Sequence, residues 1–153
     1  MVQDAHSVPP EALASAFAFL GEEACASLLP YCRLHQVDKG SNLFSAGDAG
    51  DALYVVVKGL LAVKKKTDLG RNFQVIALLY PGAPVGEAAL VCRAERSATV
   101  YCVEDAELIR LDANAFAEMR SRYPEIALAL LAHLLSRVSL RLDKCSARLA
   151  HIL

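Results

Sequence analysis

The sequence predicts a mainly-β domain, a sandwich or barrel, with helices at both ends. Three observations carry this reading. Between Cys32 and Leu111 a train of β-type runs is punctuated by Gly-bearing turns at roughly 8–12-residue spacing. The apolar period is helical before and after that train. The chain has 153 residues, 55% hydrophobic and 22% charged, which suits one full-sized core and leaves no room for a second folded domain.

The first ten residues, ending Val8-Pro9-Pro10, read as a loose lead-in to a domain over residues 11–153. From Glu11 to about Leu29 the positions Leu13, Phe17, Leu20, Cys25, Leu28 and Leu29 give one or two short amphipathic helices, interrupted near Gly21 and stopped by Pro30. The strand runs are Arg33 to Val37, Asn42 to Ser45, Ala52 to Val57, Leu60 to Lys66, Asn72 to Leu79, Ser97 to Val103 and Glu107 to Leu111. Their punctuation includes Lys58-Gly59, Asp68-Leu69-Gly70-Arg71-Asn72 and Pro81-Gly82-Ala83-Pro84. Connections this short favour antiparallel pairing over βαβ crossovers.

After Asp112 the helical period returns, in Asn114 to Arg120 and then from Pro124 to the C-terminus. Pro124 suits a first helical turn and Glu125 complements the positive end of the helix dipole. Two sevenfold series follow: Leu128, Leu135, Leu142, Leu149 and, three residues behind, Leu131, Val138, Cys145, Ile152. This is an a/d seam over four repeats, on a helix too long to be buried along its whole length, and it predicts a homodimer. Leu130 and Leu134 widen the stripe in the first half, where the helix is expected to pack on the β-core.

Composition excludes several classes. Sixteen Lys+Arg against seventeen Asp+Glu leave a net charge of −1, so nothing global favours nucleic acid or an acidic membrane. No apolar run approaches the roughly 18 residues of a spanning helix, and Met1 to His6 lacks a signal-peptide pattern, so a cytoplasmic location is the default. Five cysteines with no C-x-x-C pair read as small buried hydrophobes. Four scattered histidines give neither a metal site nor a catalytic constellation. Lys64-Lys65-Lys66 with Arg71 is the one basic patch, read as a solvated hairpin tip.

The most informative stretch is Gly86-Glu87-Ala88-Ala89-Leu90 followed by Glu95-Arg96-Ser97-Ala98-Thr99-Val100. Gly86 permits close backbone approach to a ligand, and the turn after it starts with N–H groups that have no partner within the turn. Arg96 adds a planar fork matched to phosphate oxygens, Glu87 an acceptor suited to a ribose hydroxyl, and Ser97 a further donor. Together they describe a sugar-phosphate cradle.

These residues resemble the cyclic nucleotide-binding domain of CRP/FNR-type bacterial regulators. Gly86 to Val100 is similar to that family's phosphate-binding cassette, and the glycine pattern of Gly40, Gly47, Gly50, Gly59 and Gly82 is similar to its hairpins. The resemblance runs from about Leu29 to Lys144. It implies an eight-stranded double-stranded β-helix, a jelly-roll-like β-roll over about 32–111, with N-terminal helices and a long C-terminal dimer helix. It implies that Glu87 binds the ribose 2′-hydroxyl and Arg96 the cyclic phosphate, with the backbone of Gly86, Ala88 and Ala89 and the Ser97 hydroxyl completing the site. The ligand expected is cAMP or cGMP, with no cofactor and no catalysis. Val85 stands where the family usually has Phe, and Arg141 and Leu142 where cAMP-responsive activators place a Thr-Ser pair, which leaves Arg141 or Lys144 as the polar candidates near the base. The chain shows no helix-turn-helix reader and no N-terminal Cys cluster. The expected function is therefore a ligand sensor that signals through its C-terminal helix to a separate partner. The alternatives are the effector part of a transcription regulator, or a β-roll interaction module that has lost its ligand.

Overall fold

The computed structural model describes residues 2–4, 7–67, 70, 72–92 and 94–152. The N-terminal helices are α1 (Pro10–Ala16) and α2 (Glu22–Leu28), each followed by a single 3-10 turn. Gly21, at φ +82°, separates them as its position predicts. The strands are β1 (Val2–Asp4), β2 (Cys32–Val37), β3 (Asn42–Phe44), β4 (Ala52–Lys66), β5 (Phe73–Leu79), β6 (Pro84–Val85) and β7 (Thr99–Asp112). They pair antiparallel in the order β1-β2-β7-β4-β5, with β3 on β7 and β6 on β4. Helices α3 (Ala113–Arg122) and α4 (Pro124–Ile152) close the chain. This is the β-roll with flanking helices and a long C-terminal helix.

Three expectations are corrected. The lead-in is not loose throughout, because Val2–Asp4 pair with His35–Val37 and Val8 is buried in the core. The runs 52–57 and 60–66 are one strand, as are 97–103 and 107–111, so the described residues hold seven strands rather than eight. Lys58-Gly59 is accordingly not a turn. It is a bulged bend: the β4–β7 register shifts between Val56 and Lys58, between Lys58 and Leu60 and again before Leu61. Gly59 has φ +93°, and a Cβ there would press on the Asp105 carbonyl and lie 2.7 Å from the Ala106 Cα. Glycine marks the bend because two backbones meet there. The turn 68–72 falls largely outside the described residues, as does Arg71 of the basic patch.

β4 is apolar on both faces because both faces are covered. Leu53 and Val55 pack with Leu13, Phe17, Phe116 and Leu130 under the helices, while Tyr54 and Val56 face the interior of the roll with Val85 and Leu108. The helical layer is therefore bolted to the same strand that lines the roll. On α4 the buried positions are Ala127, Leu130 and Leu134, so the flanking stripe, rather than the Leu128 series, faces the core. His133 stacks on Phe19, ring centroids 3.7 Å apart, and fixes the same end of the helix.

Of the five cysteines, all free, Cys25, Cys32 and Cys102 are buried as expected, and burial pushes the Cys32 thiol up to about 12. Cys92 and Cys145 are exposed, contrary to expectation, because one follows the cassette turn and the other lies on the free half of α4.

Gly59→Ala should cost about 2–4 kcal/mol in denaturant unfolding, combining a left-handed alanine with overpacking against Ala106. The second expectation concerns pH. Burial, with Arg137 nearby, lowers the His133 pKa below its ordinary 6.5. The neutral ring's stabilisation is thus present above that ordinary value and is lost as pH falls below it. Comparing melting temperatures at neutral and mildly acidic pH should show a steeper acid-side loss for the native protein than for His133→Phe.

Candidate functional site

Strand β6 pairs with Tyr54 and Val55 and delivers the chain to Gly86, whose φ is +77°. Glu87–Leu90 then form one 3-10 turn, pinned by the burial of Ala89 and Leu90. A side chain at position 86 would collide with the Arg96 guanidinium and lie 2.9 Å from the Ala52 carbonyl. Glycine is required here by close approach, as the sequence suggests.

Arg96 is the centre of the site. It is 7% exposed, its Nη2 donates to the Ala52 carbonyl at 2.8 Å and to Asp51 Oδ1 at 3.3 Å, and its Nη1 donates to the Gly86 carbonyl at 3.3 Å. Its Nε is buried without a partner. The Phe44 ring covers the guanidinium, 4.1 Å from centroid to Cζ. The backbone around it is clamped as well: Arg96 N donates to the Asp48 carbonyl at 2.8 Å and Gly47 N to the Arg96 carbonyl at 2.9 Å. Asp51, the only carboxylate on this guanidinium among the described residues, is 59% exposed and is shared with Arg110 at 3.2 Å. A permanent cation is thus held inside the fold with donors to spare and a weak, solvated counter-ion. An anion that enters here gains more than it would at the surface.

Glu87 is half-buried and meets the long helix. Arg141 Nη1 donates to Glu87 Oε1 at 3.4 Å, and its Nη2 donates to the Pro84 carbonyl at 2.8 Å. Farther along α4, Arg148 reaches the Ile76 carbonyl on β5 at 3.4 Å. The helix therefore lies over the mouth of the cassette.

The structure brings Gly86, Glu87, Arg96 and Arg141 together. Ala88 is exposed on the turn, while Ala89 is buried and its N–H is used on the Gly86 carbonyl at 3.1 Å. Lys144 and Leu142 are exposed, leaving Arg141 as the polar group on the cassette. Ser97 turns away from its neighbour. It is exposed and lines a cleft of about 480 Å³ with Ser45, Thr99 and Lys64 to Lys66.

Sequence reasoning misses Arg110, whose Nε lies 2.7 Å from Asp112 Oδ1 and whose Nη1 donates to the Tyr54 hydroxyl at 3.2 Å. Burial pushes the Tyr54 hydroxyl pKa up, against the pull of the nearby Arg110 charge. The available signal is an Arg two residues before an Asp at the end of a strand, which does not by itself point to a ligand. Among the described residues, no group of three or more His, Cys, Asp or Glu side chains is placed to hold a metal ion.

The family model for the cyclic nucleotide-binding domain matches residues 34–123, more than half of the chain. The Cyclic AMP receptor protein of Thermus thermophilus is 36% identical over 133 residues, covering 85% of this chain and 61% of its own length. The crystal structure of the Thermus thermophilus catabolite activator protein superposes with TM-score 0.70 at 33% identity, over 86% of this chain and 63% of that one. A cyclic nucleotide-binding domain from Methylobacillus flagellatus shares the fold more fully, with TM-score 0.89 over 99% of this chain and 89% of that one, at 19% identity. The chain thus spans less than two thirds of the Thermus relatives it matches, and over that span it belongs to the cyclic nucleotide-binding domain family, of the kind found in CRP/FNR-type regulators.

Proposed function

We propose that this domain is a non-catalytic sensor that holds a cyclic purine nucleotide, cAMP or cGMP, and relays its occupancy through α4. The observation that carries the reading is the buried, incompletely neutralised Arg96 guanidinium beside the Gly86 turn. In this reading the cyclic phosphate takes the spare donors of Arg96 and the amides of the turn, with Ser97 swinging in, and Glu87 accepts from the ribose 2′-hydroxyl. Arg141 then has to trade Glu87 for the ligand, so binding and helix position are one equilibrium. The ligand needs to be held and not broken, and no step of bond cleavage is part of the proposal.

Homodimerisation through α4 belongs to the same proposal. Leu128, Leu135, Leu142 and Leu149 are 61–69% exposed, a row of four leucines at seven-residue spacing along a helix about 43 Å long. Leu131 and Val138 are half-buried at the flank of this row and Cys145 continues it. A row of this kind is what a second copy covers. No helix among the described residues is long and apolar enough to cross a membrane, and a cytoplasmic location completes the proposal. A transcription-regulator context is favoured by the name of the Haemophilus influenzae relative, cAMP-activated global transcriptional regulator CRP, of which the chain covers 49%. A helix-turn-helix encoded in the same or the next reading frame would support it.

Calorimetric titration of the native protein with cAMP and cGMP should give a saturable heat for at least one. Arg96→Ala should weaken it by about tenfold or more, the worth of losing one charge-assisted pair, and no heat with either nucleotide would overturn the reading. Gly86→Ala should weaken binding through collision with the guanidinium and Ala52, while Glu87→Gln, which keeps the volume, should cost less than Glu87→Ala. Light scattering should find a dimer at micromolar concentration and a monomer for Leu135→Glu/Leu142→Glu, and a native monomer would remove the dimer from the account.

A further inference from the structure

Apart from Ser97, the cleft beside the cassette is built of residues that the cyclic-nucleotide reading does not use. Its wall contains Lys64, Lys65 and Lys66 with Ser45, Ser97 and Thr99, and none of Gly86, Glu87, Arg96 or Arg141 lines it. Its polar groups are arranged as donors. Thr99, only 8% exposed, accepts the Ala46 N–H on its Oγ1 at 3.0 Å, and Ser45 Oγ accepts the Asn42 amide at 3.2 Å. Each hydroxyl therefore keeps its own proton to give. Lys64 Nζ sits 3.6 Å from the centroid of the Tyr101 ring, which holds the ammonium in place while its outer N–H groups stay available. Lys66 Nζ lies 5.9 Å from the Phe73 ring, itself a cleft residue and 55% exposed. Among the described residues no carboxylate pairs with any of the three lysines. Asp48, on the adjoining loop, is turned to the Ser45 backbone N–H at 2.8 Å.

We infer that this cleft is a second anion site, apart from Arg96 and the Gly86 turn, for a compact diphosphate, either inorganic or the end of a nucleoside diphosphate whose base rests on Phe73. Its volume of about 480 Å³ suits a small molecule. Lys64 and Lys66 lie on one face of β4 and Lys65 on the other, so two ammonium groups face the cleft beside the hydroxyl donors, one cation for each phosphate of a diphosphate. The inference does not depend on which nucleotide, if any, enters the cassette.

The test is calorimetric titration of the full chain with inorganic pyrophosphate and, separately, with ADP. Pyrophosphate should bind with a saturable heat that Lys64→Gln/Lys66→Gln reduces about tenfold or more, as does a rise to about 1 M salt. Ser45→Ala, a change with little bearing on folding, should weaken it in the same direction. Phe73→Ala weakening ADP about threefold or more and leaving pyrophosphate unchanged supports the nucleoside diphosphate source. An equal response of the two probes supports inorganic diphosphate. Absence of pyrophosphate heat, an unchanged affinity in the lysine variant, or displacement of pyrophosphate by cAMP or cGMP overturns the separate site.

Discussion

A guanidinium cannot be neutralised by deprotonation, so burying Arg96 obliges the fold to surround it with acceptors. The Ala52 and Gly86 carbonyls supply two, and the shared, solvent-facing Asp51 supplies a third that is only partly its own. Much of the local design follows from this obligation. Gly86 is glycine because the guanidinium lies where its Cβ would be, and Phe44 covers the face that carbonyls do not reach. The loop at 47–52 is clamped to the segment at 96 through both backbone directions. A cation placed and oriented in advance beside a short turn can take a phosphate without itself being reoriented.

The second consequence reaches the C-terminal helix. Arg141 joins Glu87 and the Pro84 carbonyl, so the helix that carries the exposed leucine row is fastened to the same turn that faces Arg96. At its other end α4 is anchored by Ala127, Leu130, Leu134 and the His133–Phe19 stack. The anchored half and the free half are joined at the point where Arg141 touches the cassette. A ligand that competed for Glu87 would act at this joint, and this is the route the proposed relay would take to the surface proposed for a second copy.

The β-roll and its helices are legible in the sequence because their signals are local: period, turn residues and Pro124 at the start of α4. The glycine at 86 and the charge at 96 are legible too, since their residue types have few other uses in this pattern. What local pattern hides is decided by distant backbone. Gly59 reads as a turn until the Asp105–Ala106 segment is seen packed against it, at which point it becomes a bulge in one continuous strand. The division of labour between Leu130 with Leu134 and the Leu128 series is likewise set by where the β-core lies, not by helical spacing. Adjacent residues can also part company: Arg96 turns inward and Ser97 lines the lysine cleft, a separation no motif states. The basic run lies at the end of β4 beside the hairpin to β5, as the sequence suggests, while the hydroxyls of the neighbouring cleft come from two other segments.

The account therefore turns on where an anion sits relative to Arg96. A crystal structure of the protein soaked or grown with the cyclic nucleotide that binds it measures this directly. The account predicts the cyclic phosphate within hydrogen-bond distance of the Arg96 guanidinium and the Gly86–Ala89 turn, with Arg141 displaced from Glu87. The cyclic phosphate seated instead beside Lys64 and Lys66, with Arg96 still bonded only to Gly86, Ala52 and Asp51, would contradict it.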